Sequence, residues 1–282
     1  MIVRTCFLVL GLLFGGWIHG QILPEGGGAR AAALGQAYTS VTGDIWGGMY
    51  YNPASLAGME SATFGADVEQ RYGLSELLTA RAAAALPWGE ERAQAIGIGI
   101  TSFGFQNYNA YRVSAGYAIE AFKAVTLGAR LHYQGLTVTG YGSGGAFVAD
   151  FGFVAKLGPE LSLGGRVHNL NQARIKTNLG EDVLATTLAI GLSYQPNEKV
   201  LLAADVEKNE FSMASLRLGA EYELHPSLTA RVGTHTQPLG WSGGIRVNTG
   251  PLNLDITGRY HERLGFFPQL SLGFNLKEKE DV

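Results

Sequence analysis

The sequence predicts an all-β protein: a transmembrane antiparallel β-barrel of about fourteen strands (12–16), with a small N-terminal plug segment in the lumen. Three observations support this prediction. Side chains alternate between apolar and polar along many segments, the connections sort into short turns and longer loops, and the chain starts with an apolar leader.

Residues 1–20 have the pattern of a secretory signal peptide. Arg4 supplies a positive start, and the apolar stretch from Cys6 to Ile18 is too short and too rich in glycine for a stable membrane span. Cleavage after Gly20 removes Cys6, the only cysteine, so the exported chain has no disulfide and no thiolate site. An uncleaved N-terminal anchor is the alternative. After residue 20 no apolar run approaches the length of a membrane-spanning helix, which excludes a helical membrane protein.

The alternation is clearest in residues 125–134, where Val125, Leu127 and Leu131 alternate with Arg130 and His132. A period of two residues is typical of a strand with two different faces. Most of these segments have the roughly 9–11 residues that a tilted strand needs to cross a bilayer. The predicted strands lie near 61–69, 78–87, 94–103, 109–118, 124–134, 146–156, 161–169, 185–195, 200–207, 212–223, 228–234, 240–249, 252–261 and 268–276.

The connections alternate in length along the chain. The even ones are tight, as in Gly158-Pro159-Glu160 and His225-Pro226-Ser227. Several odd ones are longer: 69–77, 103–109, 135–145, 169–184 and 261–267. Outer-membrane barrels have short periplasmic turns and longer extracellular loops. The sequence therefore predicts a protein of the outer membrane of a bacterium of the Gram-negative type, exported through the cleaved signal peptide.

The charged residues of the predicted strands fall on the polar face. In a barrel the apolar face contacts lipid, because an arginine at mid-depth there costs about 2–4 kcal/mol. Three interpretations stay open: Arg–carboxylate pairs that stiffen the wall, a basic path for an anionic solute, or an arbitrary mixture of charges. The predicted lumen-facing charges are Arg112, Arg130, Arg166, Arg217, Glu221, Arg231, Arg246, Asp255 and Arg259.

The chain divides into a signal peptide (1–20), an N-terminal plug or hatch-like segment (21–60), a transmembrane barrel (61–276) and a charged C-terminal tail (277–282). Residues 21–60 are rich in small side chains and lack strand alternation. The motif Asn52-Pro53-Ala54 marks a turn, because the proline ring keeps Asn52 out of the helical region. We expect a compact plug in the periplasmic mouth of the barrel, with a disordered leader as the alternative.

Three stretches of this segment, 28–35 (GARAAALG), Gly43-Asp44 and 51–57 (YNPASLA), resemble the start of the PorV/PorQ family. These are outer-membrane proteins of type IX secretion and are similar to the FadL long-chain fatty-acid transporters. Residues 216–222 and 228–233 also resemble late hairpins of PorV-like barrels. The resemblance implies a fourteen-stranded barrel with its N-terminal segment in the lumen. It also implies a role in protein secretion or in the uptake of hydrophobic solutes. The chain departs from the family in its shorter length and in its charged tail, which replaces a terminal aromatic residue.

The sequence carries no pattern of enzymatic chemistry. It has no H-E-x-x-H zinc motif, no G-x-S-x-G elbow and no phosphate-binding loop, so we predict no enzyme, no cofactor and no metal site. A net charge of −3 without a basic stripe argues against nucleic acid as a partner. The histidines after residue 20 are scattered: His132, His168, His225, His235 and His261.

The leading functional prediction is an accessory or cargo-binding component of protein secretion, or of a secretion-like assembly. The alternatives are a channel for small hydrophobic molecules and a purely structural barrel. The expected partners are outer-membrane lipid, a larger outer-membrane secretion or surface assembly, and a hydrophobic small ligand. An apolar pocket beside Asn52-Pro53-Ala54 would favour the channel. A sealed, arginine-filled lumen with exposed apolar loops at 103–111 and 261–267 would favour the secretion subunit.

Overall fold

The computed structural model describes residue 23, residues 25–71, residue 74, and residues 77–89, 93–177, 180–262 and 265–276. The predicted signal peptide and the charged C-terminal tail lie outside the described residues. Within the described part of the chain, no helix has the length and apolar character needed to cross a membrane.

Fourteen antiparallel strands close into one barrel, which confirms the predicted fold class. Along the barrel each strand pairs with the next, and β1 pairs with β16 from Ala62 opposite Leu276 to Glu69 opposite Gln269. The barrel strands are β1 (Ala62–Gln70), β2 (Leu78–Trp88), β3 (Gln94–Phe105), β4 (Tyr108–Phe122), β5 (Val125–Val138), β6 (Gly142–Lys156), β7 (Leu161–His168), β10 (Thr187–Asn197), β11 (Val200–Asn209), β12 (Ser215–His225), β13 (Leu228–Thr236), β14 (Leu239–Thr249), β15 (Leu252–His261) and β16 (Gly265–Leu276).

The connection between β7 and β10 contains a small hairpin, formed by β8 (Arg174–Thr177) and β9 (Gly180–Val183). We call the barrel end that carries it the hairpin end. The opposite end, where β1 begins and β16 ends, is the turn end. The sequence predicts a loop without strands over residues 169–184, so this hairpin is not predicted.

The predicted long loops at 103–109 and 135–145 are wrong. Strands β3 and β4 stay paired up to Phe105 opposite Tyr108, and β5 and β6 up to Val138 opposite Gly142. Continued pairing satisfies the backbone donors and acceptors that a loop would leave to water. The stretch 103–111 is therefore mostly a strand hairpin. The stretch 261–267 is the end of β15 and the start of β16, around residues 263–264, which are not described.

The outer face of the barrel is apolar. On β3, Ile96, Ile98 and Ile100 point outward and are exposed, whereas Ala95 before them and Thr101 after them are buried. The same alternation runs through β10, where Leu188, Ile190 and Leu192 are exposed. An apolar surface that runs around the barrel in this way fits lipid rather than water.

The main hydrophobic core lies inside the barrel, between the wall and the segment 25–60, which we call the plug. The plug contains helix α1 (Ala29–Ala33), helix α2 (Ile45–Tyr50) and a 3₁₀ helix (Pro53–Gly58). Six of its large core side chains are at most 5 % exposed: Leu34, Tyr38, Trp46, Met49, Tyr50 and Leu56.

Glycines in the wall make room for this plug. A Cβ atom added at Gly128 would lie 2.3 Å from the backbone nitrogen of Ala54, and one at Gly233 would lie 2.1 Å from that of Gly35. Real Cβ atoms do not approach backbone so closely, so a side chain there would displace the plug. The wall glycines that face plug backbone in this way are Gly128, Gly164, Gly219 and Gly233, and others, among them Gly65, Gly97 and Gly152, face plug side chains. Part of the high glycine content, 40 residues, therefore has its reason in the plug.

Candidate functional site in the lumen

Hydroxyl groups of the barrel wall cap helix α1. The backbone N–H of Ala29 donates to Ser271 Oγ at 2.7 Å, Thr257 Oγ1 donates to the carbonyl of Ala29 at 2.7 Å, and Ser242 Oγ donates to the carbonyl of Ala33 at 2.8 Å. A helix of five residues is too short to be stable alone, and its end groups need partners. The wall therefore supplies the partners that hold α1 in place.

Asp205 of β11 fixes the middle of the plug. One of its carboxylate oxygens, Oδ2, accepts from the backbone N–H groups of Tyr38 and Thr39, both at 2.8 Å. The Tyr38 side chain is fully buried, and this burial raises the pKa of its phenol well above the ordinary value. The phenol therefore stays neutral in the lumen.

The motif Asn52, Pro53 and Ala54 forms a buried joint between plug and wall. Asn52 Oδ1 accepts from the N–H of Ala54 at 3.1 Å and caps the 3₁₀ helix, in which Pro53 is the first residue. Its side-chain amide donates to the carbonyls of Thr39 at 2.7 Å and Phe153 at 2.9 Å. Gly152 and Gly128 of the wall approach the motif so closely that neither could carry a side chain. The space beside the motif is thus filled by the wall, and the apolar pocket that would favour a channel does not lie there.

The structure places all nine predicted charges on the lumen side, and eight of them form ion pairs. Glu221 of the wall and Asp44 of the plug join the plug to the strands, and Asp255 links two wall arginines beside them. Glu221 accepts from Arg30 of the plug at 2.8 Å and from Arg231, and Asp255 pairs with Arg231 and, at 2.7 Å, with Arg246. Asp44, which caps helix α2 through the N–H of Trp46 at 2.7 Å, also lies 3.7 Å from Arg30 and 3.6 Å from Arg246.

The other charged pairs join strands that are neighbours in the barrel or are separated by one strand. Arg166 and Arg217 share Glu207, and Arg259 pairs with Glu69. Glu69 also accepts from Arg81 at 2.9 Å. Arg130 donates to Asp150 at 2.6 Å. This is the arrangement expected of charges that stiffen the wall, since each of these carboxylates is paired with at least one guanidinium group.

Arg112 is the exception among the nine. Its guanidinium donates to the amide oxygen of Gln134, with the shorter contact at 2.8 Å, and it forms no ion pair with the described residues. It is 6 % exposed. The lumen therefore holds one buried cation whose partner is a neutral group.

An apolar cluster lies just above Arg112, at the hairpin end. On β4 and β5, Ala110 pairs with Leu136, and the next lumen-facing pair is Arg112 with Gln134. Leu23, Ala110, Leu136 and Ile175 are each at most 6 % exposed. Around them pack the partly buried side chains of Phe103, Tyr108, Val138, Ala146 and Leu184.

The β8–β9 hairpin covers this cluster. Ile175 of β8 contributes the fully buried side chain, and the carbonyl of Lys176 lies so close to Gly144 of β6 that a Cβ there would be 2.1 Å away. Leu23, which precedes the plug, belongs to the same buried cluster. The sequence does not signal this site, because its residues come from two strand hairpins, from β8 and from the residue Leu23 before the plug.

A second group that sequence analysis missed is formed by His132, Asp150 and His168. They lie on β5, β6 and β7, which are neighbours in the barrel, and His168 Nδ1 is 2.7 Å from Asp150 Oδ1. No local spacing signals this group, because each residue comes from a different strand.

Comparison with known proteins gives the fold. The sequence matches no protein-family model and no curated protein. Among solved structures, the Pseudomonas putida toluene transporter TodX has a TM-score of 0.64 at 13 % identity, over 90 % of this chain and 98 % of that one. A Pseudomonas aeruginosa FadL homologue has a TM-score of 0.67 at 11 % identity, over 92 % of this chain and 100 % of that one. The Ralstonia pickettii toluene transporter TbuX has a TM-score of 0.65 at 14 % identity, over 90 % and 99 %.

Identities this low establish the fold alone. The assignment to PorV/PorQ proteins stays a prediction. The likeness extends over the whole barrel: the chain has the closed fourteen-stranded fold of the FadL and TodX barrels.

Proposed function

We propose that the protein is an outer-membrane channel for small hydrophobic molecules, held closed by its plug. The apolar outer band and the signal-peptide pattern of the leader support an outer-membrane location, which a channel and a secretion subunit would share. The channel is favoured over the secretion subunit by the similar solved structures, which are toluene transporters and a FadL homologue.

The apolar cluster at the hairpin end is the observation that carries the proposal. A binding site for a small hydrophobic molecule needs concave apolar walls with few polar groups. Ala110, Leu136 and Ile175 offer apolar side chains of this kind, and Leu23 packs in the same buried cluster. A hydrocarbon of similar size would take the place of Leu23, and that exchange would pull on the start of the plug.

Passage beyond the cluster requires the plug to move. Below the cluster, the lumen contains Arg112 and Gln134, then His132, then Arg130 with Asp150. Apolar molecules gain nothing in such surroundings, and the buried charges would lose their partners. The arrangement is therefore a closed state, in which the cluster receives the ligand and the plug blocks its path.

Uptake by whole cells tests the proposal. The lipopolysaccharide leaflet of an outer membrane slows hydrophobic solutes, so a channel should speed the uptake of labelled toluene at low concentration. We expect faster uptake by cells that make the protein than by cells with the empty vector. The variant Leu136→Asn, which puts an amide into the cluster, should lose most of this gain.

A matched variant controls for the effect of an added amide. Met213 lies in the connection between β11 and β12 and is 71 % exposed, so Met213→Asn should leave uptake unchanged. Uptake no faster than with the empty vector would rule out the channel and favour a purely structural barrel. Equal uptake by Leu136→Asn and the unchanged protein would remove the cluster from the path.

The secretion subunit is a second candidate, and one observation favours it. The lumen is filled, and single apolar side chains are exposed at the hairpin end, among them Phe105, Tyr141 and Leu170. Pull-down from native membranes is the direct test. A stoichiometric outer-membrane partner that is lost in a Phe105→Ser, Tyr141→Ser, Leu170→Ser variant would favour this role, and a barrel recovered alone would count against it.

A further inference from the structure

Three donor side chains of β5, β6 and β7 meet in the lumen. His132, Asp150 and His168 are buried, and one ligand atom from each can be chosen so that all three lie within 4.8 Å of one another. Two imidazoles and a carboxylate form a donor set that zinc and similar divalent transition-metal ions bind.

His132 is the independent observation that points to a ligand. Its side chain is fully buried, yet neither ring nitrogen has a hydrogen-bond partner among the described residues. Buried polar atoms are nearly always paired, so an imidazole left without any partner needs an explanation. Its Nδ1 lies 3.6 Å from Asp150 Oδ2, which is too long for a hydrogen bond. Two ligands of one tetrahedral zinc ion, with bonds of about 2.0–2.1 Å, lie roughly 3.3–3.4 Å apart.

His168 is held in the orientation that a metal ligand needs. Its Nδ1 lies 2.7 Å from Asp150 Oδ1, and its ring stacks on that of His132 with centroids 5.4 Å apart. Its other nitrogen, Nε2, lies 3.7 Å from Glu25 Oε1. A carboxylate that holds one nitrogen of an imidazole while the other nitrogen binds an ion is a recurring feature of metal sites. Glu25 is that carboxylate if Nδ1 of His168 binds the ion beside Asp150.

Glu25 belongs to the plug, whereas His132, Asp150 and His168 belong to the wall. We propose that His132, Asp150 and His168, the last through Nδ1, bind one divalent transition-metal ion, zinc above all, while Glu25 holds the other ring nitrogen of His168. The contact between His168 and Glu25 couples the ion site to the start of the plug. Arg130 donates to the same carboxylate of Asp150 at 2.6 Å, so the ion shares that group with a cation and binds less tightly than in a closed cysteine site. The inference does not depend on what the barrel transports.

Zinc titration of the full chain in detergent tests the site. The protein is purified without a histidine tag, stripped with EDTA and titrated with zinc chloride in a calorimeter, with magnesium chloride in parallel. We expect one zinc per chain and no saturable magnesium binding, because magnesium prefers oxygen ligands. His132→Gln and His168→Gln should each weaken zinc binding at least about tenfold.

His225→Gln is the matched control. His225 ends β12 at the turn end, far from the cluster, and is exposed, so its replacement should leave zinc affinity unchanged. A heat-modifiable gel shift shows whether each variant is folded. If a variant does not fold, X-ray absorption of the zinc-loaded unchanged protein still decides, since the site predicts two imidazole ligands. Absence of saturable zinc binding, fewer than two imidazoles, or unchanged affinity in folded His132→Gln and His168→Gln would each overturn the proposal.

Discussion

At the scale of single residues, Asp205 shows how the wall determines the path of the plug. A strand carboxylate that is 2 % exposed serves as acceptor for two consecutive backbone N–H groups, those of Tyr38 and Thr39. Sequence parity indicates that Asp205 faces the lumen, but it does not indicate its partners. A backbone N–H has no side-chain identity to recognise, so this contact could only be found in the folded chain.

Replacement of Asp205 by alanine should loosen the plug without opening the wall. The change leaves two buried N–H groups without acceptors, at a cost of about 1–3 kcal/mol for each. We expect a lower transition temperature in the heat-modifiable gel shift, and faster hydrogen exchange at Tyr38 and Thr39. Asp205→Asn, which keeps an acceptor oxygen, should lose less.

Asp182→Ala is the control, since Asp182 lies on the exposed β9 strand. It should leave both measurements unchanged. Hydrogen exchange at Tyr38 that stays slow in Asp205→Ala would show that the carboxylate does not hold the plug.

At the scale of elements, alternation predicts the long barrel strands well, but it does not predict the short β8–β9 hairpin outside the barrel. The predicted segments near 94–103 and 252–261 match β3 and β15, because an apolar outer face and a polar lumen face impose a two-residue period. The hairpin β8–β9 has strands of four residues, RIKT and GEDV, with one buried side chain. Such short polar strands cannot show a period, so only tertiary contacts reveal them.

Removal of this hairpin should uncover the apolar cluster. The registry of β7 with β10, which starts at His168 opposite Thr187, does not involve the hairpin, so the barrel should still close when residues 172–185 become a short glycine–serine turn. Cys6 is the only cysteine of the chain, so a single introduced thiol reports access cleanly. We expect Ala110→Cys to react severalfold faster with a water-soluble maleimide once the hairpin is gone.

Met213→Cys provides the reference, because Met213 is exposed in the presence of the hairpin and should react equally in both backgrounds. Equal rates for Ala110→Cys with and without the hairpin would mean that another part of the chain covers the cluster.

At the scale of the whole molecule, the outward face should report on lipid. Ile98 lies in the middle of β3 and is 64 % exposed. If lipid surrounds it, Ile98→Arg should lower the free energy of unfolding in a bilayer by about 2–4 kcal/mol, as measured by denaturant titration in vesicles. Met213→Arg, in an exposed connection, should have little effect. Equal stability of the two variants would contradict a position of Ile98 within the bilayer.

The sequence predicts the membrane barrel, its strand number and which charges face the lumen, because each of these follows from parity along single strands. It does not predict the contacts between distant segments. The pairing of Arg30 with Glu221, and the meeting of His132 with His168, depend on how the plug winds and which strands are neighbours. For the same reason the choice between channel and secretion subunit depends on the plug and the hairpin, not on the strands.

The wall glycines have a consequence for how the protein is made. Gly128 and Gly233 leave no room between wall and plug, and the 3₁₀ helix of the plug ends only a few residues before β1, the strand that closes the ring with β16. If the barrel closed first, the plug would have to enter a lumen that leaves it almost no clearance. We therefore expect residues 25–60 to take their place before the barrel closes, with the pairing of the first and last strands forming last.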